Sequence, residues 1–400
     1  MKRIFLPGIS LMCLILLQVS CVNKTVTPDS VGLSGDTLHL ATKKMQEYID
    51  NGKLAGISVL VHKNGETVYR KNFGYANLNK KRPMSDSTIF RVFSMTKPIT
   101  AVALMTLFDE GKFQLDDKVS KYIPEFSGAM VYNAETKTLE PQIKEMTIRH
   151  LLTHTSGLTY GWDQKAYVDS LYRATGASGW DGTIGEKVKI MTGLPLKHQP
   201  GTKWEYGLSI DVAGYLVEVL SGTPLDVYMK TRIFDPLKME DTGFFVPEDK
   251  HNRFSGLNSM KSDSLIETSG EMSDAFKKPV TLFSGGGGLV STLSDYLTFC
   301  KMLLNDGGLN GVRIITESAA KLIMTNQLPD SVIYTDKKGY GLAGEVNLET
   351  GVYGWAGAAS TKFWIDPGNK MIVIFGTQLI PADFSYADEL YKIVNSAVKK

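Results

Sequence analysis

The sequence predicts an α+β protein, an antiparallel β-sheet flanked by helices with an inserted, mainly helical domain. Three observations carry this. β-rich runs joined by tight-turn residues lie near both ends of the chain. Helical periodicity fills the stretch between them, and no internal repeat breaks that order. The 400 residues are 43% hydrophobic and 22% charged, a globular mix that excludes disordered and collagen-like chains.

Taken in order, Lys2 and Arg3 precede an apolar stretch over residues 4–17, broken by Pro7 and Gly8 and closed by Ser20-Cys21. Residues 1–20 read as a signal peptide, too short for an ordinary membrane span. Leu17-Gln-Val-Ser-Cys21 is similar to a bacterial lipoprotein signal, in which Cys21 is lipidated and becomes the first residue. Gln18 departs from the apolar residue usual there, which leaves plain secretion open. The expectation is export across an inner membrane and residence in the periplasm or envelope, with a lipid on Cys21 as the membrane anchor. Residues 21–37 read as a tether, polar and Gly/Ser/Thr-rich over 23–34. The folded domain then spans 38–398, with its helical subdomain at about 98–280.

Residues 38–50 have helical spacing. Residues 56–63 and 66–73 flank Asn64-Gly65, a strong short hairpin signal. Helical periodicity follows over 98–111, 147–156, 208–221 and 224–235, with Gly157 and Gly222 where C-caps belong. Residues 361–365 and 371–375 flank Asp366-Pro-Gly-Asn369 as a second hairpin, and a last helix covers about 386–398. Cys13 leaves with the signal, so Cys21 and Cys300 remain and no disulfide framework is possible. Cys300 sits in an apolar run and reads as buried and inert. The formal charge is +2, and without Lys2 and Arg3 the chain holds 42 residues of each sign. That balance argues against nucleic acid as a partner.

The sharpest chemical signal is Ser94-Met-Thr-Lys97, followed by Pro98 and an apolar run to Phe108. At a helix start, positions i and i+3 share a face, so the amine reaches the hydroxyl. Free N–H groups and the positive dipole end favour a developing negative charge there. Pro98 fits a first turn but disfavours helical geometry at Lys97. Ser318-Ala-Ala-Lys321 and Ser396-Ala-Val-Lys399 repeat the spacing in ordinary helical sequence, far from helix-start signals, and read as surface helix.

The other candidates are weaker. His150 and His154 have a zinc-like i, i+4 spacing, but Leu151 stands where a metalloprotease has Glu, and no further ligand cluster completes a site. The prediction is no metal, with His154 a hydrogen-bonded packing residue ahead of Gly157. The glycines at 285–288 lack the Gly-Lys-Ser/Thr of a phosphate loop and read as a tight turn at a pocket mouth. No Gly-x-Ser-x-Gly occurs. Tyr160 and Trp162 fit a cleft wall or ordinary packing equally well, and Trp204 and Glu205 are candidate supports for Tyr206.

Ser94-Met-Thr-Lys97, Leu151-Leu-Thr-His-Thr-Ser-Gly-Leu158, Tyr206-Gly-Leu-Ser209, Ser284-Gly-Gly-Gly-Gly-Leu289 and Trp355-Ala-Gly357 occur in this order. Together they resemble the serine β-lactamase and penicillin-binding-protein superfamily, in its class C β-lactamase-like branch that includes family VIII esterases. The resemblance runs from about residue 40 to the C-terminus. It implies a β-lactamase/transpeptidase-like fold and a cofactor-free acyl-enzyme mechanism. It implies Ser94 as nucleophile, and Lys97 with Tyr206 as the coupled pair that moves its proton. It also implies an oxyanion hole from the backbone N–H groups of Ser94 and Ala358. Trp355, Gly357 and Leu208 fall at substrate-binding positions, Gly357 keeping the strand edge open to the acyl group.

Two positions depart from the superfamily pattern. Trp355 stands where Lys or His usually helps hold a substrate carboxylate, and Leu208 where Asn usually bonds an acylamide. Trp offers an N–H donor and a large apolar face but no charge. Both changes favour neutral ester substrates, so the expectation is a secreted serine hydrolase of the carboxylesterase kind. A D-Ala-D-Ala carboxypeptidase or β-lactamase acting on peptides or β-lactams is the alternative. A non-catalytic penicillin-binding-like protein is the third reading. The partner in the first two is a small ester, amide or peptide.

Overall fold

The computed structural model describes residues 26–399. Residues 1–20 and Cys21 lie outside them. The first helix, α1, is Gly35–Asp50, N-capped by the Ser34 hydroxyl, which accepts from the Thr37 amide. Strands β1 (Gly56–Lys63) and β2 (Glu66–Asn77) pair as the first hairpin. Asn64 (φ 51) and Gly65 (φ 88) both take the left-handed conformation that a two-residue hairpin turn needs. A short strand, β3 (Arg82–Pro83), follows on the same edge.

The other half of the sheet comes from the far end of the chain. It consists of β4 (Lys338–Tyr340), β5 (Glu345–Asn347), β6 (Tyr353–Gly357), β7 (Thr361–Asp366) and β8 (Met371–Gly376). All pairings are antiparallel, and the spatial order is β4-β5-β6-β7-β8-β1-β2-β3. The β8–β1 pairing, Ser58 opposite Gly376 through Lys63 opposite Met371, joins the two ends of the chain.

Both faces of the central strands are covered, which explains why β1 and β8 read as nearly continuous apolar runs. Alternate residues serve different cores. Ile57, Val59, Val61, Met371, Val373 and Phe375 pack with α1 and the last helix, Ser385–Ser396. Leu60, Ile372 and Ile374 belong to the larger core beneath the helical region. That core holds helix Leu293–Leu304, in which Cys300 is buried and its thiol is pushed well above its ordinary pKa by burial.

Several expectations need correction. The stretch taken as a tether is packed from Pro28 on. Pro28–Val31 is a helical turn, Leu33 bridges to Val398 and is fully buried, and Lys399 pairs with Asp29 at 2.6 Å. The apolar side chains of Val31 and Leu33, set among polar neighbours, do this. The inserted region also exceeds 98–280. Helices Leu293–Leu304 and Glu317–Met324 extend it, and hairpins Met130–Asn133/Thr138–Pro141 and Asn258–Lys261/Ser264–Glu267 lie within it. The helix expected over 147–156 is only Ile148–Leu152, opened by a Thr147/His150 capping box. Gly157 is therefore not its cap. Its φ is 89, and a Cβ there would lie 2.6 Å from the His198 carbonyl oxygen. Gly222, at φ 69, does cap helix Ser209–Ser221. Ser318 does stand in the first turn of a helix, behind the Thr316 cap, but it is exposed on the surface.

Candidate active site

Strand Ile89–Arg91 leads into a tight turn, Phe93–Met95, and then into α2 (Thr96–Asp109). Ser94 sits in the turn and Lys97 in the first helical turn. Pro98 costs little here, because the first N–H groups of a helix lack partners in any case. Every residue from Thr96 to Leu107 is buried, so α2 is a central helix gripped on all sides. A nucleophile at its head is held rigidly.

Ser94 Oγ accepts hydrogen bonds from Tyr206 Oη at 2.8 Å and from Lys97 Nζ at 3.2 Å. Lys97 Nζ also donates to Tyr160 Oη at 2.9 Å and to the Gly286 carbonyl at 2.6 Å. Its ammonium lies 4.7 Å from the centroid of the Tyr206 ring. The three residues expected to converge thus do so, and Tyr160 joins them. Burial, with Tyr206 and Asp211 beside it, holds the Tyr160 phenol well above its ordinary pKa. Tyr160 therefore stays a neutral partner of the amine. No spacing rule pointed to it, since only folding brings residue 160 to residue 97.

Tyr206 is placed by the Leu151–Leu158 motif. Glu205 donates its amide to the His154 carbonyl at 2.8 Å, and Gly207 donates to His154 Nδ1 at 3.4 Å. Ser156 and Ser209 hydroxyls meet at 2.8 Å. A Cβ on Gly207 would lie 2.2 Å from the Leu158 carbonyl oxygen, so only glycine permits this approach. His154 is fully buried, and burial beside Lys97 lowers its pKa well below the ordinary value. It is a neutral packing residue that accepts at Nδ1. His150 points elsewhere, into its capping box, and among the described residues no group of three potential ligands could hold a metal ion.

The tetraglycine segment is a tight turn of low exposure, and Gly286 and Gly287 in it line a cavity at Ser94. It runs between α2 and helix Ser209–Ser221: a Cβ on Gly285 would lie 2.8 Å from the Ile210 carbonyl oxygen, and one on Gly286 2.4 Å from Asp211 Oδ2. Thr96 and Thr100 hydroxyls tie it to α2 through the Leu289 amide and the Gly285 carbonyl.

Two cavities meet at Ser94. One, of about 210 Å³, is bordered by Phe93, Tyr160, Trp180, Leu208, Asp211 and Gly287. The other, of about 640 Å³, is bordered by Tyr206, Tyr334, Trp355, Lys362 and Phe384. Ser94, Trp162 and Ala358 border both. Leu208 and Trp355 therefore lie where the sequence placed them, on the walls. Trp162 is largely exposed and stacks on Tyr160 at 4.7 Å. Trp204 stacks on Tyr206 with ring centroids 5.9 Å apart, whereas the Glu205 carboxylate pairs with Lys197 at 2.7 Å. Gly357 departs from expectation, because it borders neither cavity. A Cβ there would lie 2.3 Å from the Val92 carbonyl oxygen, so glycine lets β6 close on the nucleophile turn and brings Ala358 beside Ser94.

The chain has relatives among known proteins. Residues 41–395 match the Beta-lactamase family. The chain is 31% identical to a lovastatin esterase of Penicillium rubens over 375 residues, covering 84% of this chain and 92% of that one. It is 34% identical to Esterase EstB of Burkholderia gladioli over 225 residues, 55% of each chain. Among solved structures it resembles EstCE1, a hydrolase with promiscuous acyltransferase activity, with a TM-score of 0.79 at 24% identity over 90% of this chain and 98% of that one. The chain belongs to the β-lactamase family, within the superfamily of serine β-lactamases and penicillin-binding proteins.

Proposed function

We propose that the protein is a carboxylesterase working through a Ser94 acyl-enzyme. The observation that carries this is Ser94 Oγ in contact with both Lys97 Nζ and Tyr206 Oη, at the junction of two cavities walled largely by aromatic and aliphatic side chains. Ser94 attacks the ester carbonyl while the Lys97–Tyr206 pair takes its proton. The N–H groups of Ser94 and Ala358 receive the oxyanion, and each such donor contributes about 2.7–4 kcal/mol in the transition state. The pair returns the proton to the departing alcohol, and water then cleaves the acyl-enzyme by the reverse sequence. Trp355 and Leu208 supply apolar walls where an anionic, peptide-like substrate would need a cation and an amide. The esterase names of two relatives support the same choice.

The test is a comparison of a short-chain aryl ester, a D-Ala dipeptide and a chromogenic cephalosporin. The ester is turned over, and Ser94→Ala lowers that rate by at least about 10³-fold. Unchanged ester turnover in the variant removes the proposal. Rapid cephalosporin hydrolysis with poor ester turnover replaces it with the peptidase or β-lactamase reading.

The same proposal includes export and a lipid on Cys21, supported by the pattern of residues 1–21. Incorporation of labelled palmitate that disappears in Cys21→Ser is the expected result.

A further inference from the structure

Asp211 is the third residue of helix Ser209–Ser221, 6% exposed, and among the described residues it forms no ion pair within 4 Å. Its Oδ1 accepts from the Ser284 hydroxyl at 2.6 Å and from the Gly286 amide at 3.1 Å. The carbonyl of that same Gly286 accepts from Lys97 Nζ at 2.6 Å. One glycine residue therefore bridges the carboxylate and the amine, its N–H on one and its C=O on the other. A side chain at 286 would strike Asp211 Oδ2 at 2.4 Å and reach Tyr160 Oη at 3.1 Å, so the carboxylate, the phenol and the amine surround one spot.

We propose that Asp211 is a positioning residue for Lys97: through Gly286 it aims the amine at Ser94, and its negative charge stands opposite the positive charge that the Lys97–Tyr206 pair carries when protonated. This rests on the Ser94 reading above and adds a residue to it. Neither the Ser-x-x-Lys motif nor the Tyr206 motif contains Asp211. The geometry gives it a task that a neutral residue cannot perform. Lys97 is fully buried, and a buried ammonium needs a nearby negative charge. Among the described residues no carboxylate lies within salt-bridge distance of Lys97, and Asp211 is the one that faces it across a single residue, Gly286. Burial raises the Asp211 carboxyl above its ordinary value, while the Ser284 hydroxyl, the Lys97 charge and the Gly286 amide pull it down.

The groups that face Asp211 come from three elements: Lys97 on α2, Tyr160 after the Leu151–Leu158 motif, and Ser284 in the glycine turn. Lys187 borders the same cavity but is engaged by Asp181 at 2.7 Å. Removing the Asp211 negative charge from beside the buried amine disfavours the protonated form of the pair as a unit. The direction of the effect is therefore independent of which of the two takes the Ser94 proton.

The experiment measures the rate of Ser94 labelling by a fluorophosphonate probe against pH, with the site mapped by mass spectrometry. It needs no knowledge of the natural substrate. In Asp211→Asn, which keeps the shape and the Ser284 and Gly286 contacts, the acid limb of the profile moves down by about one to two pH units. A limb that stays in place while the rate falls overturns the proposal, because a purely structural role predicts that result. Ser284→Ala provides the second variant if Asp211→Asn does not fold, as read by circular dichroism. Loss of the hydroxyl that helps keep the carboxylate ionised moves the limb down by a smaller step, and an unmoved or raised limb overturns the proposal. Failure of the Ser94 reading looks different, since the wild-type protein then acquires no label on Ser94 at any pH.

Discussion

Trp355 lines the larger cavity at Ser94, and the proposed preference for esters turns on it. Its ring packs on Tyr206 at 5.6 Å and edge-on to Tyr340 at 5.2 Å, and among the described residues its buried Nε1 has no acceptor. The indole is thus an apolar wall with one N–H to spare. Trp355→Lys restores a cation, and its expected effect is a gain of about tenfold or more in cephalosporin turnover with a loss on neutral aryl esters, read by paired steady-state assays. Tyr160 is tested differently. Tyr160→Phe leaves Lys97 one acceptor short in a buried site, where a hydrogen bond to a charged group contributes about 1.5–3 kcal/mol. The expected result is a kcat lower by roughly 10- to 100-fold with KM little changed. Ser94, Lys97 and Tyr206 could be named from motifs, because their chemistry constrains residue type. Tyr160 and Asp211 could not, because a lone Tyr or Asp carries no pattern.

At the level of elements, apolar runs bounded by turn and helix-start signals located the two hairpins, α1, α2 and helix Ser209–Ser221 closely. The 147–156 segment misled. Its spacing is helical, yet after Leu152 the chain turns, with His154 at φ 54 and Gly157 at φ 89, in order to grip residues 205–209. Tertiary contact overrode local propensity there. Two glycines mark where elements meet most closely. Gly357→Ala puts a methyl 2.3 Å from the Val92 carbonyl oxygen, and Gly207→Ala puts one 2.2 Å from that of Leu158. Each is expected to cost about 1–3 kcal/mol, measured by urea unfolding, and to lower kcat because β6 or Tyr206 shifts relative to Ser94.

For the molecule as a whole, the sheet depends on both chain ends. Val31, Leu33, Leu390, Val394 and Ala397 share one core with β1 and β8. Buried phenols set the alkaline limit of that assembly. Tyr172, Tyr296, Tyr340 and Tyr353 are fully buried, and burial raises each above the ordinary tyrosine value. A raised folded-state pKa means stability is present below about pH 10 and is lost as pH rises through it, because the unfolded chain releases those protons first. Tyrosinate absorbance from these groups is expected to appear together with loss of the circular dichroism signal, in one transition. Ionisation that runs ahead of unfolding would show that the phenols are open to water.

The amino-acid order alone determined the fold class and the hairpins and singled out Ser94, Lys97 and Tyr206 as candidates, because hydrophobic pattern and residue chemistry are local and need only neighbours in the chain. The tertiary structure decided the rest. It fixed which strand lies beside which, why glycine is required at 207, 286 and 357, and how Tyr160 and Asp211 surround a lysine far away in sequence. Those facts depend on distances between segments, and only packing sets such distances.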